Sequence, residues 1–155
     1  MSRPPIPPDG RVLALDLGRK RIGVAVTDDG RTVVTPHRTV NRTGHRPDDH
    51  AELASVVAEA GAVGVVAGLP LSLDGSVGPA AKAILTEVKA LRRVLGVPIE
   101  THDERLSTVT AEAKLDQSGV RGPRRREVVD QLAAAVILEA WLAARAGERE
   151  HGDPN

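Results

Sequence analysis

Hydrophobic residues occur in short blocks along the chain, and the spacing within each block predicts its element. Arg11 to Leu17 (RVLALDL) and Ile22 to Thr27 (IGVAVT) read as strands separated by a short basic turn. Asp28-Asp29-Gly30 predicts a hairpin turn into a third strand, Thr32 to Val40, so the chain is expected to begin with three antiparallel strands. After the polar loop Asn41 to Pro47, Asp48 or Asp49 can cap a helix to about Ala60, with Leu53, Val56 and Val57 on its apolar face. Val63 to Ala67 is apolar without alternation, as in a parallel strand covered on both faces. The loop Gly68 to Gly78 then leads to Pro79, which suits the first turn of a helix to about Leu95, closed by Gly96. Val97 to Thr101 makes a fifth strand, Ser107 can cap a helix to about Gln117, and an Ala-rich helix runs from about Arg124 to Arg145. The order βββαβαβαα contains a βαβαβ portion with right-handed parallel crossovers, and the fold class is mixed α/β.

Polar residues that interrupt these patterns point to chemistry. Asp16 falls inside an apolar strand on the side of Val12 and Ala14, where a carboxylate costs several kcal/mol to desolvate unless it is protonated, paired or bound to a cation. It could equally bond the turn Gly18-Arg19-Lys20-Arg21. Glu104 follows the fifth strand at the sheet edge where open α/β folds place ligands, with a loop ion pair to Arg105 as the plainer reading. Asp130 lies one helical step from Ala134, on the stripe that continues to Ile137 and Trp141, which puts it on an apolar helix face. The plainer reading there is an Asp favoured by the helix dipole with its head in solvent. Together the three acids would form an all-oxygen site suited to Mg²⁺ or Mn²⁺, a chemistry that cuts phosphodiesters without a covalent nucleophile.

Composition narrows the options. The 155 residues suit one domain, expected over 11–146, with Pro-, Gly- and charge-rich ends at 1–10 and 147–155 expected to be disordered. There is no Cys, so a disulfide, a Cys-ligated zinc and a thiol nucleophile are excluded. Phe and Tyr are absent and Trp141 stands alone, which excludes base stacking on aromatic platforms and leaves Trp141 as core packing. The longest uncharged run, Ala60 to Leu73, is 14 residues, too short for a membrane span, and a cytoplasmic protein is the expectation. Lys+Arg and Asp+Glu are both 21, yet residues 1–46 hold nine basic against four acidic side chains. Arg19, Lys20 and Arg21 beside Asp16, Arg105 beside Glu104, and Arg121, Arg124, Arg125 and Arg126 ahead of Asp130 are candidate phosphate contacts.

Four blocks in this order resemble the YqgF/RuvX family: Asp16-Leu17-Gly18 with Arg19 to Val26; Gly68-Leu69-Pro70 with Asp74-Gly75-Ser76; Asp103 to Thr108; and Val129 to Ala135. The likeness covers about residues 11 to 144. It implies an RNase H-like fold, with a mixed five-stranded sheet of three antiparallel strands then two parallel, flanked by helices. It further implies a metal-dependent nuclease acting in 5′-end maturation of pre-16S rRNA, with the family's acids carried onto Asp16, Glu104 and Asp130. Two features depart from the pattern. Arg124-Arg125-Arg126 stands where a lysine-bearing segment is expected, and no fourth acid lies near Asp130, the next in the helix being Glu139. The partner is expected to be nucleic acid, either structured RNA or branched DNA. Holliday-junction resolution is the alternative function, and its symmetric cuts would go with a homodimer. A single-domain ATP-binding module of the actin type, which normally needs two such domains, and an inactive scaffold stand further off.

Overall fold

The computed structural model describes residues 4–106, 122 and 125–152, the last five through their backbone alone. Five strands form one sheet: β1 (Val12–Leu17), β2 (Arg21–Thr27), β3 (Val34–Asn41), β4 (Gly64–Leu69) and β5 (Ile99–Asp103). Their spatial order is β3-β2-β1-β4-β5, with β1 antiparallel to β2, β2 antiparallel to β3, and β4 parallel to both β1 and β5. Helices α1 (Arg46–Ala60) and α2 (Pro79–Leu91) cover one face, and α3 (Arg125–Gly152) covers the other. A 3-10 turn, Glu104–Leu106, follows β5 directly. The sequence-predicted helix from Ser107 to Gln117 lies outside the described residues.

Alternation in β1 divides the core. Leu13, Leu15 and Leu17 meet Leu53, Val56, Val88 and Leu91 of α1 and α2, whereas Val12 and Ala14 meet Ala134, Ile137, Leu138 and Trp141 of α3. With Phe and Tyr absent, branched aliphatics and Ala fill both layers, and Trp141 is buried among them as expected. Arg145 stacks over its ring at 4.5 Å, and its guanidinium lies 3.8 Å from Glu100.

Several boundaries differ from the pattern-based expectation. β3 starts at Val34 because the Asp28 carboxylate accepts bonds from the Thr32 and Val33 N–H groups and the Thr32 hydroxyl, and that closes residues 28–33 into a turn. Neither Asp48 nor Asp49 caps α1: His45 occupies that position, and both acids sit in the first turn, where the helix dipole favours them. β4 runs two residues further, taking Gly68 and Leu69 out of the loop and into pairing with β5. α2 ends at Leu91 because the N–H groups of Arg93 and Val94 bond back three residues, tightening the chain before Gly96 turns it with φ 73°. β5 therefore begins at Ile99 and delivers Glu104 at its very end.

The ends differ too. Residues 4–10 are tied down: Ile6 is buried against Gly64, whose missing side chain supplies the space, and its N–H bonds Glu100. Arg31 donates to the carbonyls of Gly10 and Pro7, fixing the same segment from beyond the far end of β2. At the other end α3 continues to Gly152, past the boundary expected at 146.

Candidate active site

The pairing register assembles the site. Asp16 faces the α3 side of β1 and sits opposite Gly23 of β2. On the other flank Leu15 pairs with Ala67, and continuing that register by one residue sets Gly68 beside Asp16. Asp16 therefore lies between two strand glycines, on a floor that neither of them covers with a side chain. Both vacancies are filled from outside the sheet. A Cβ on Gly23 would overlap the backbone carbonyl of Asp130, so α3 rests its main chain on β2 at the residue that carries the third acid. A Cβ on Gly68 would lie 2.5 Å from the Ile137 methyl and 3.0 Å from the Glu104 Oε1, so the Glu104 carboxylate reaches over Gly68 toward Asp16. The Thr39 hydroxyl donates to the Glu127 carbonyl at 2.8 Å, tying the first turn of α3 to β3.

Electrostatics reflect the crowding. Burial, and after it the charge of Asp130, pushes the Asp16 carboxyl up to about 6 from the ordinary 3.8. Glu104 is also raised, first by burial and then by Asp16 and Asp103. Like charges held together in a half-buried setting are unfavourable unless a proton or cation joins them. Arg21 supplies part of that charge: its Nε donates to Asp130 Oδ2 at 2.6 Å, with both side chains largely covered. Among the described residues no three carboxylates or imidazoles form a ready-made metal cage. The donor set nonetheless fits a hard dication, because it is all carboxylate oxygen and its mutual repulsion is what a cation relieves.

The candidate residues divide into those the fold gathers and those it does not. Asp16 feels the charge of Asp130 and Glu104 feels that of Asp16, while the Asp130 carboxylate is itself paired with Arg21, which is an ion-pair partner rather than a solvent-facing rim. Arg105 turns away from Glu104, grips both oxygens of Asp103 at 2.7 to 3.1 Å and donates to the Leu73 carbonyl; Asp103 is thereby held below the usual carboxylate range. Arg19 and Lys20 are exposed and open onto the other side of the sheet. Arg125 and Arg126 are exposed on the first turn of α3, and Arg121 and Arg124 lie outside the described residues. Sequence reasoning missed the roles of Gly23 and Gly68; for Gly23 the available signal was a glycine inside a strand, which marks close approach of another backbone, whereas Gly68 was expected in a loop.

A mixed sheet in this order, with a long helix laid across the face that carries Asp16, is the fold of the RNase H-like class. A model of the family RuvX, described as Holliday junction resolvase, matches residues 10–144, and the chain belongs to that family. Proteins from Myxococcus xanthus and Cereibacter sphaeroides, both provisionally named as pre-16S rRNA nucleases, are 48% and 46% identical to it. The first match covers 86% of this chain and 88% of the relative, the second 88% and 85%. A relative of the same name from Mycobacterium bovis is 43% identical over 95% of this chain and 89% of its own length. Among solved structures, Thermus thermophilus RuvC in complex with a Holliday junction substrate shares the fold at TM-score 0.58 and 17% identity, covering 89% of this chain and 96% of that one.

Proposed function

We propose that this chain is a divalent-metal-dependent nuclease that hydrolyses a phosphodiester bond during 5′-end maturation of pre-16S rRNA, with Asp16, Glu104 and Asp130 as its catalytic acids. The observation that carries the reading is the half-buried place of Asp16 between Gly23 and Gly68, within reach of Glu104 and of the charge of Asp130; burial first, and Asp130 after it, raise Asp16 to about 6. Relatives of 43 to 48% identity bearing the rRNA-nuclease name support the choice of RNA over branched DNA.

In this reading Asp16, Glu104 and Asp130 hold Mg²⁺ or Mn²⁺, which when bound supplies charge stabilisation for the attacked phosphate and lowers the pKa of water. The chain's own residues do the positioning. The two glycines keep their own side chains off the floor, so that the α3 backbone at Asp130 and the Glu104 carboxylate can close in on Asp16. Burial of the carboxylates between sheet and α3 keeps them poorly solvated, so a cation gains more there than in water. Arg21, at the start of β2, pairs with Asp130 and balances its charge. Such a protein acts in the cytoplasm, where its substrate is made.

The test runs the wild type, Glu104→Gln and Asp16→Asn in parallel on a pre-16S 5′-leader RNA and on a four-way DNA junction, with Mg²⁺ or Mn²⁺. Cleavage of the leader by the wild type and its loss in Glu104→Gln is the expected result. Equal cleavage by Asp16→Asn and wild type overturns the acid assignment, and preferential symmetric cutting of the junction by a dimer shifts the substrate to DNA.

A further inference from the structure

Arg19 and Lys20 do not stand over the carboxylates. They line a cleft of about 690 Å³ on the α1/α2 side of the sheet, together with Gly18, Arg42, Arg46, Asp49 and Glu87. Both acids in it are already engaged. Asp49 accepts bonds from the N–H and hydroxyl of Thr43 at 2.9 and 2.8 Å. Glu87 receives both terminal nitrogens of Arg42, at 2.8 and 2.7 Å, and meets His50 Nε2 at 2.8 Å. Burial alone would raise Glu87, but Arg42 and His50 outweigh it and hold this carboxyl below its usual range, so it stays ionised. Arg42 also donates to the Gly18 carbonyl at 2.7 Å and so braces the turn that carries Arg19 and Lys20.

What remains facing the cleft is cationic. Arg19 and Lys20 are exposed, and Arg46 lies 3.9 Å from Glu87 with its side chain 52% exposed. Two segments far apart in sequence, the β1–β2 turn and the start of α1, thus bring three exposed cations to one concave site whose acids are already bonded. Phosphate oxygens are the groups such an arrangement accepts. The cleft starts at Leu17 and Gly18, one and two residues beyond Asp16, roughly 3 to 7 Å along an extended strand. With no aromatic in its lining, it offers no aromatic platform for a base.

We propose that this cleft is a second phosphate-binding site that grips the sugar-phosphate backbone of the substrate strand outside the bond being cut, with Arg19, Lys20 and Arg46 as ligands and Arg42 as their positioning residue. It rests on the nuclease reading above, and it predicts sequence-independent, salt-sensitive binding. The experiment measures affinity for the leader RNA in EDTA over a series of salt concentrations, for wild type, Lys20→Ala/Arg46→Ala, and Arg38→Ala. Arg38 is an exposed β3 arginine outside the cleft, 3.8 Å from Glu59. The double variant is expected to bind about tenfold more weakly, with the log–log salt slope smaller by about 0.7 for each phosphate that it leaves unneutralised. Arg38→Ala should match the wild type, and circular dichroism melts should show all three folded. An unchanged slope and affinity in the double variant, or an equal weakening in Arg38→Ala, overturns the site. Inorganic phosphate and a 5′-mononucleotide serve as competitors. If either binds the cleft tighter than about 1 mM while RNA affinity ignores the double substitution, the site belongs to a free phosphate and the strand assignment falls. Asp16→Asn separates the two readings: it should bind RNA like the wild type and not cut, and retained cutting would sink the catalytic assignment while the cleft is judged on the salt slopes alone.

Discussion

Replacing Asp16 by Asn preserves the shape of the side chain and removes its charge, which turns the crowding of the site into a measurable stability. The folded state holds this carboxyl at about 6, against 3.8 ordinarily. At about 1.4 kcal/mol per unit, the difference amounts to roughly 3 kcal/mol of penalty on the ionised form, an upper figure because water relaxation softens it. The sign follows from which state binds the proton more tightly. The native state does, so the penalty is absent below about pH 4, grows as pH rises from 4 to 6, and is complete above 6. Urea unfolding in EDTA, followed by circular dichroism from pH 4 to 8, should therefore show Asp16→Asn gaining on the wild type by up to about 3 kcal/mol across that window. Adding Mg²⁺ at pH 7.5 should stabilise the wild type and leave the variant nearly unmoved, since only the intact site has a cation to gain. A gap that does not change between pH 4 and 8 would refute the reasoning, because the carboxylate would then not be strained by its surroundings.

Three further outcomes follow from the packing and pairing described above. Gly23→Ala forces a methyl into the Asp130 backbone, so it should destabilise by about 1 to 3 kcal/mol or more and depress metal-dependent cleavage; a thermal melt and activity matching wild type would show that α3 can lift without cost. Glu87→Ala strands the mostly covered Arg42 guanidinium, with an expected drop of about 3 to 5 kcal/mol in denaturant unfolding. Because Glu87 is held below its usual range, the wild-type advantage over that variant should shrink as pH falls through the acid limb. Ile6→Ala empties a fully enclosed site over Gly64 and should cost about 2 to 5 kcal/mol, whereas a negligible change in urea midpoint would mean that residues 4–10 dock only loosely.

The placement of two of the acids was legible because each broke a local pattern. Asp16 interrupts a period of two, and Asp130 interrupts a helical stripe, so the face each occupies follows from spacing alone and matches the core beneath α3. The pairings were not legible. Arg21 and Asp130 are separated by 109 residues and Arg42 and Glu87 by 45, and nothing local marks them as partners. Without those pairings Arg21 reads as a surface phosphate ligand, and the cleft beside Arg42 has no signal in the sequence. The Pro-rich start misleads for a different reason. Four prolines and a turn glycine read as disorder, while the single residue that anchors the segment, Ile6, becomes informative only once Gly64 is known to lie beneath it. Element ends shift by a few residues wherever a side chain such as Asp28, or tight i to i−3 bonds after Leu91, closes a turn that residue preferences do not encode.

The nearly aromatic-free core also has a practical side. With Phe and Tyr absent, ultraviolet absorption at 280 nm and the fluorescence it excites come from one indole, Trp141, packed on α3 beneath Arg145 and in the same cluster as Ile6. The emission of the unmodified protein is thus a single-site optical gauge of whether the helix carrying Asp130 is seated on the sheet. Lifting of α3 and release of the Ile6 anchor would each change it, with no label attached.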